Sequence, residues 1–205
     1  MYNKEDIRNI VTKINNIVNE HAQELSEIDG KSGDGDLGAS MQAAFSALKE
    51  YLDNDETTDI GMSLMKASMA CNKAAPSTMG TLVSSGIMAM AKAYKGNSGL
   101  SDEEVARIPE LFFNAIKERG KAEVGDKTIL DALYPMYNAV NEGFDASGDL
   151  LSAYKKGAEA AKEGAENTAG MVAKMGRARW IGERSQENMD AGAYMLSLLM
   201  NELVK

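Results

Sequence analysis

Histidine and cysteine are almost missing from this chain: His21 and Cys71 are the single examples of each among 205 residues. One cysteine makes no internal disulfide, and one imidazole supplies neither a histidine-rich zinc site nor a two-histidine mechanism. A metal held here would take oxygen ligands, which suit magnesium or calcium. Only 3 prolines and 6% aromatic residues are present, so little breaks helices and little favours strands. No apolar run approaches the ~20 residues that span a bilayer, and the opening MYNKEDIRNI lacks the pattern of a signal peptide. No membrane association is expected, and the cytoplasm is the expected compartment. Basic residues are outnumbered 22 to 31, for a formal charge of −9. Nucleic acid, which is bound by clustered lysines and arginines, is therefore not an expected partner.

What remains is rich in helix formers. A hydrophobic fraction of 44%, with 14 methionines, supplies a core from residues that lose little on entering a helix. Apolar stripes at helical spacing recur along the chain. Ile7 to Ile28 carry the first, Met41 to Leu52 the second, Ile60 to Met69 the third and Leu82 to Tyr94 the fourth. The fifth opens on the capping-box pattern Ser101-Asp102-Glu103-Glu104 and runs to Ile116, with Pro109 expected to kink it or displace its start. Ile129 to Val140 carry the sixth, where Pro135 is expected to bend the helix. An alanine-rich seventh runs from about Leu150 to Val172, and Gly192 to Val204 carry the eighth. No linker or repeat divides the chain. The expectation is one all-α domain over residues 1–205, an eight-helix antiparallel up-and-down barrel or bundle.

Three stretches interrupt the helical pattern, each dense in glycine and charge: Asp29 to Gly38, Gly120 to Thr128 and Lys174 to Gly192. The first holds Asp29, Asp34 and Asp36 with glycines between them, so several carboxylates can converge. Like charges gathered in this way call for a divalent cation. The loop leads into a helix N-terminus, where free amides favour a phosphate. The plainer alternative is a turn in which Asp36 caps the second helix. The spacing is not that of an EF-hand, and Gly30-Lys31-Ser32 follows a helix rather than the strand a P-loop needs. The third stretch gathers Lys174, Arg177, Arg179 and Arg184 around Trp180, the only tryptophan. It suits a phosphate or base clamp, or equally a surface salt-bridge loop. His21 and Cys71 are read as structural, and the methionines of the third and fourth helices as core.

Together and in this order, GDGDLG at Gly33 to Gly38, RGKAEVGDKTILDAL at Arg119 to Leu133, KMGRARWIGERS at Lys174 to Ser185 and DAGA at Asp190 to Ala193 resemble one family. It is the ADP-binding L subunit of phosphotransferase-system-dependent dihydroxyacetone kinase. The resemblance covers nearly the whole chain. It implies an eight-helix barrel with ADP or ATP and two magnesium ions at one end, held through Asp29, Asp34 and Asp36. It implies nucleotide contacts from Gly38, Ser40, Gly120, Ile129, Arg177, Asp190 and Gly192, with Thr81 beside another contacting segment. It also implies a kinase that passes a phosphoryl group to a short ketose on a histidine of a partner K subunit. An M-type multiphosphoryl protein recharges the nucleotide. The catalytic set it implies is Asp29, Asp34, Asp36 and Arg177.

Some positions depart from the family pattern. Leu37 stands for a usual His and Ser40 for an Asn. Ala75 and Pro76 stand where a Ser-Gly pair wraps the phosphates, Ala191 for a Pro, and Arg179 for a Ser. Two alternatives stand beside this reading, the first motivated by Leu37, Ala75 and Pro76 and the second by the nucleotide domain of single-chain relatives. One is a non-catalytic nucleotide-binding regulator with a regulatory protein as partner; the other is an ATP-dependent ketose kinase subunit with exchangeable nucleotide.

Overall fold

A computed structural model describes all residues, Met1–Lys205. The chain forms α1 (Lys4–Gly30), α2 (Leu37–Asn54), α3 (Ile60–Ala74), α4 (Thr78–Ala93), α5 (Asp102–Ala106), α6 (Ile108–Gly120), α7 (Leu130–Ser147), α8 (Leu150–Asn167) and α9 (Ala191–Leu203). A 3-10 segment, η1, covers Ala178–Glu187. There is no sheet, only an isolated antiparallel bridge between Tyr2 and Leu100. No helix is long and apolar enough to cross a membrane.

The local signals account for most boundaries. Asn3 and Ser101 close α1 and α5 with reciprocal capping boxes, while Asp59, Ser77, Asp149 and Asp190 each accept an amide from the following turn. Pro109 divides the fifth expected helix: α5 stops at Ala106, and α6 restarts with the proline in its first turn, where no amide is missed. Pro135, by contrast, lies inside α7, and the helix runs through it. The seventh expected helix ends earlier than Val172. α8 stops at Asn167, and Gly170 turns the chain with φ 86°.

Each long helix packs on its neighbours in sequence, and α9 returns to pack on α1, closing the ring. The eight-helix up-and-down barrel expected from the stripes is therefore present, its fifth helix broken into α5 and α6. One apolar core fills it, with Leu25, Met41, Leu52, Ile60, Leu130 and Val140 all but inaccessible. Small residues let the helices approach closely: a Cβ at Gly38 would collide with the Ala22 carbonyl oxygen of α1, and one at Gly164 with the Asp131 carbonyl oxygen of α7. Cys71 is buried as a packing residue. His21 bonds Glu24, which also accepts from Tyr194 Oη and so ties α1 to α9. Met65, Met88 and Met90 lie against the core, whereas Met69 stands 58% exposed.

Candidate functional site at the end of the barrel

An up-and-down barrel gathers alternate helix starts at one end. Here α2, α4, α7 and α9 begin where α1, α3, α6 and α8 finish. A cleft of about 880 Å³ opens there, and its wall includes the first residues of all four starting helices: Leu37, Thr78, Leu130 and Ala191. Converging N-termini present amide hydrogens and positive dipole ends to whatever enters.

The acid cradle lies on one wall. Asp29 ends α1, Asp36 precedes α2, and Asp34 lies between; one carboxylate oxygen from each falls within 4.8 Å of the others. Gly35 makes this possible at φ 74°, and at Gly33 a side chain would strike the Asp29 carboxylate. Asp36 occupies the N-cap position of α2, yet its side chain caps nothing. Its carboxylate is thus left for other work. Burial pushes the Asp29 carboxyl up from its ordinary value; the Leu37 and Gly35 amides draw it down, while the charges of Asp34 and Asp36 push it up. Ser32 Oγ is buried against the cleft without a partner. Three converging carboxylates and an orphaned hydroxyl fit a hard divalent cation with oxygen ligands.

The cation-rich stretch faces this cradle. Arg177 Nη2 lies 2.7 Å from Asp34 Oδ2. Arg179 stacks on the exposed Trp180 ring, 4.6 Å from its centroid. What was expected as plain loop contains η1, broken at Gly182, where φ is 58°. Buried Ser185 fastens it by accepting the Ala173 amide at 2.9 Å and donating to Gly182 O at 2.6 Å.

The middle stretch braces both. Asp131 accepts the amides of Gly125 and Thr128, at 2.5 and 2.7 Å. Lys174 reaches Asp126 at 3.0 Å. Lys127 is buried and donates to Thr168 O and Asn188 O. Burial lowers its pKa, and the charges of Asp190 and Asp131 raise it again. Asp190 caps α9 through the Ala193 amide at 2.8 Å. Burial lifts its carboxyl to about 6, the Ala193 amide drawing it down, Asp131 adding to the rise and Lys127 opposing it.

Of the expected site residues, Asp29, Asp34, Asp36, Leu37, Pro76, Thr81, Gly120, Ile129, Arg177, Asp190 and Gly192 line this one cleft. Gly38, Ser40 and Ala75 stand outside its lining. Gly38 is packed against Ala22, as its missing side chain requires, and Ala75 is buried with its carbonyl against Gly80. Lys127, Asp131 and Ser32 were not singled out from the sequence. One signal was available: Thr128-Ile129-Leu130-Asp131 has capping-box spacing, and Asp131 does accept the Thr128 amide.

Fold and cleft define a helical-barrel domain with an acidic, dipole-positive cleft at one end. The chain belongs to the DAK2 domain family, whose model matches residues 31–205. It is 28% identical over 200 residues to the ADP-binding subunit DhaL of the PEP-dependent dihydroxyacetone kinase of Escherichia coli, covering 98% of this chain and 95% of that one. It is 30% identical over 207 residues to an L-erythrulose 1-kinase of Mycolicibacterium smegmatis, covering 98% of this chain and 36% of that protein. Among solved structures it resembles the dihydroxyacetone kinase of C. freundii in complex with AMP-PNP and Mg2+. That match has a TM-score of 0.74 at 22% identity and covers 96% of this chain and 33% of the other. The chain thus spans about a third of the length of the longer relatives it matches.

Proposed function

We propose that this chain is the nucleotide-binding subunit of a short-ketose kinase, using magnesium-bound ADP or ATP to pass a phosphoryl group to a ketose held by a separate K-type subunit. One observation carries the reading: three carboxylates converge within 4.8 Å beside four helix N-termini, with Arg177 closing on them. The names of the relatives, an ADP-binding kinase subunit and an erythrulose kinase, support the same chemistry.

Phosphoryl transfer needs positioning and charge neutralisation more than covalent help from the protein. Asp29, Asp34 and Asp36 would hold magnesium, two ions if the resemblance above carries over. Bound magnesium supplies Lewis acidity to the phosphate oxygens. The starting turns of α2, α4 and α9 direct amides and dipole ends at the phosphates. Arg177 adds a guanidinium suited to bidentate phosphate contact. Ile129, Thr81 and Gly120, which line the same cleft, would flank the rest of the nucleotide. In this reading the ketose is held on the K-type subunit, and the one histidine of this chain, His21, is engaged by Glu24 on α1. An M-type phosphoryl donor would recharge the nucleotide.

Reconstitution with a K-type partner, a phosphoryl donor protein and a panel including dihydroxyacetone and the erythruloses tests this. Magnesium-dependent turnover of one of these ketoses is the expected result. Tight nucleotide binding without turnover of any ketose would instead make the chain a nucleotide-binding regulator.

A further inference from the structure

Thr168 and Asn188 stand at the two ends of the excursion that carries Arg177 and Trp180, and their carbonyl oxygens meet on one cation. Lys127 Nζ donates to both, at 2.6 Å to Asn188 O. The residue is 2% exposed and takes φ 60°, the left-handed conformation that non-glycine residues seldom adopt. Thr168 Oγ1 in turn accepts the Asp190 amide at 2.8 Å. The start of the excursion, its end and the first residue of the α9 cap are therefore knotted at a single point.

Farther out the Lys174 amide bonds Asp126 O at 3.1 Å and the Ala173 amide bonds buried Ser185 at 2.9 Å. The Gly170 amide reaches Gln186 O at 2.9 Å, and Lys174 crosses to Asp126 with its own side chain 64% exposed. The tip meets the acid cradle through the Arg177–Asp34 pair, whose side chains are 70% and 35% exposed. Exposed pairs of this kind contribute little to holding a segment in place. The base is where both ends of the segment are joined through one buried donor, and a lost donor there leaves two carbonyls unpaired.

We propose that Lys127 is the positioning residue of this site: by gathering the carbonyl ends of the Thr168–Asn188 excursion, it sets Arg177 over Asp34 and presents Asp190 to the cleft. This rests on the nucleotide reading given above. A neutral side chain of similar length in its place leaves the Thr168 and Asn188 carbonyls without their shared donor. It also removes the positive charge that faces Asp190 and Asp131.

Trp180 is the only tryptophan, so its fluorescence anisotropy reports on this segment alone. Arg177, Arg179 and Arg184 provide trypsin sites within it. In nucleotide-free protein, Lys127→Met is expected to speed cleavage at these arginines at least tenfold and to lower Trp180 anisotropy. Titration with ADP and magnesium is then compared in wild type, Lys127→Met, Arg177→Ala and the double variant. The expected result is a Kd raised at least tenfold by Lys127→Met, with no further loss when Arg177→Ala is added. Unchanged cleavage and anisotropy, or losses that simply add, would overturn the proposal. A wild type that does not bind ADP would defeat the nucleotide reading, while the cleavage and anisotropy arms still decide the role of Lys127. Should Lys127→Met fail to fold, Lys127→Gln keeps an N–H donor and is held to the same criteria, with a smaller effect expected.

Discussion

Arg177 Nη2 lies 2.7 Å from Asp34 Oδ2, across a cleft whose opposite walls come from segments more than half the chain apart. The scarce cations of an acidic chain thus close on its densest acids. An exposed ion pair is worth roughly 0–1 kcal/mol to folding, so its purpose is better sought in what enters the cleft. Arg177→Ala is expected to shift the unfolding midpoint by no more than a few degrees. Hydrogen bonds to charged groups contribute about 1.5–3 kcal/mol, so the same change should weaken binding of ADP with magnesium by roughly 10- to 100-fold. Thermal unfolding and calorimetry on one preparation read both quantities.

Asp190 makes stability depend on pH in a predictable direction. Its folded carboxyl is raised to about 6, against about 3.9 unfolded. A raised value means the protonated form suits the fold. Its contribution is full below pH ~4 and is lost as pH rises through 6. Asn retains the cap on α9, so Asp190→Asn should stabilise the nucleotide-free protein above pH 6 by about 1–2 kcal/mol. At pH 4 the two proteins should unfold alike. Denaturant unfolding across this range checks it.

Asp55 works in the opposite sense at the far end of α2. Burial opposes its ionisation, but hydrogen bonds from Lys4, Ser63 and Thr57 outweigh that and hold the carboxyl well below the usual range. Lys4 Nζ and Ser63 Oγ lie 2.5 and 2.6 Å away. Breaking one partner of a buried pair costs about 3–5 kcal/mol, and Asp55→Asn should cost near the lower figure at pH 7. Because the folded value is depressed, this stability is present above pH ~3.9 and lost as pH falls toward the folded value. Acid unfolding of wild type and variant should therefore converge at low pH.

The barrel was legible because its stripes repeat at helical spacing and its caps are written locally, in Ser101 to Glu104 for example. Pro109 and Pro135 look alike in sequence, yet only the first breaks a helix. The difference lies in packing. At Pro135 the freed Asp131 carbonyl sits against Gly164 of α8, an arrangement set by a distant glycine. The acid cradle was readable because Asp29, Asp34 and Asp36 are close in sequence. The brace was not, since Lys127 meets Thr168 and Asn188 across 41 and 61 positions. Gly38 shows the reverse case: a glycine in a phosphate-like motif whose structural demand comes from α1 packing.

Asp36 offers the cleanest probe of the cradle, because its carboxylate caps nothing in α2, and Asp34 the strongest. The most direct measurement is calorimetric titration of ADP, with and without magnesium, into wild type, Asp34→Ala and Asp36→Asn. The account predicts magnesium-dependent binding in the wild type, and in each variant an affinity at least tenfold weaker with that dependence largely gone. Equal affinity in all three proteins, with the same response to magnesium, would contradict it.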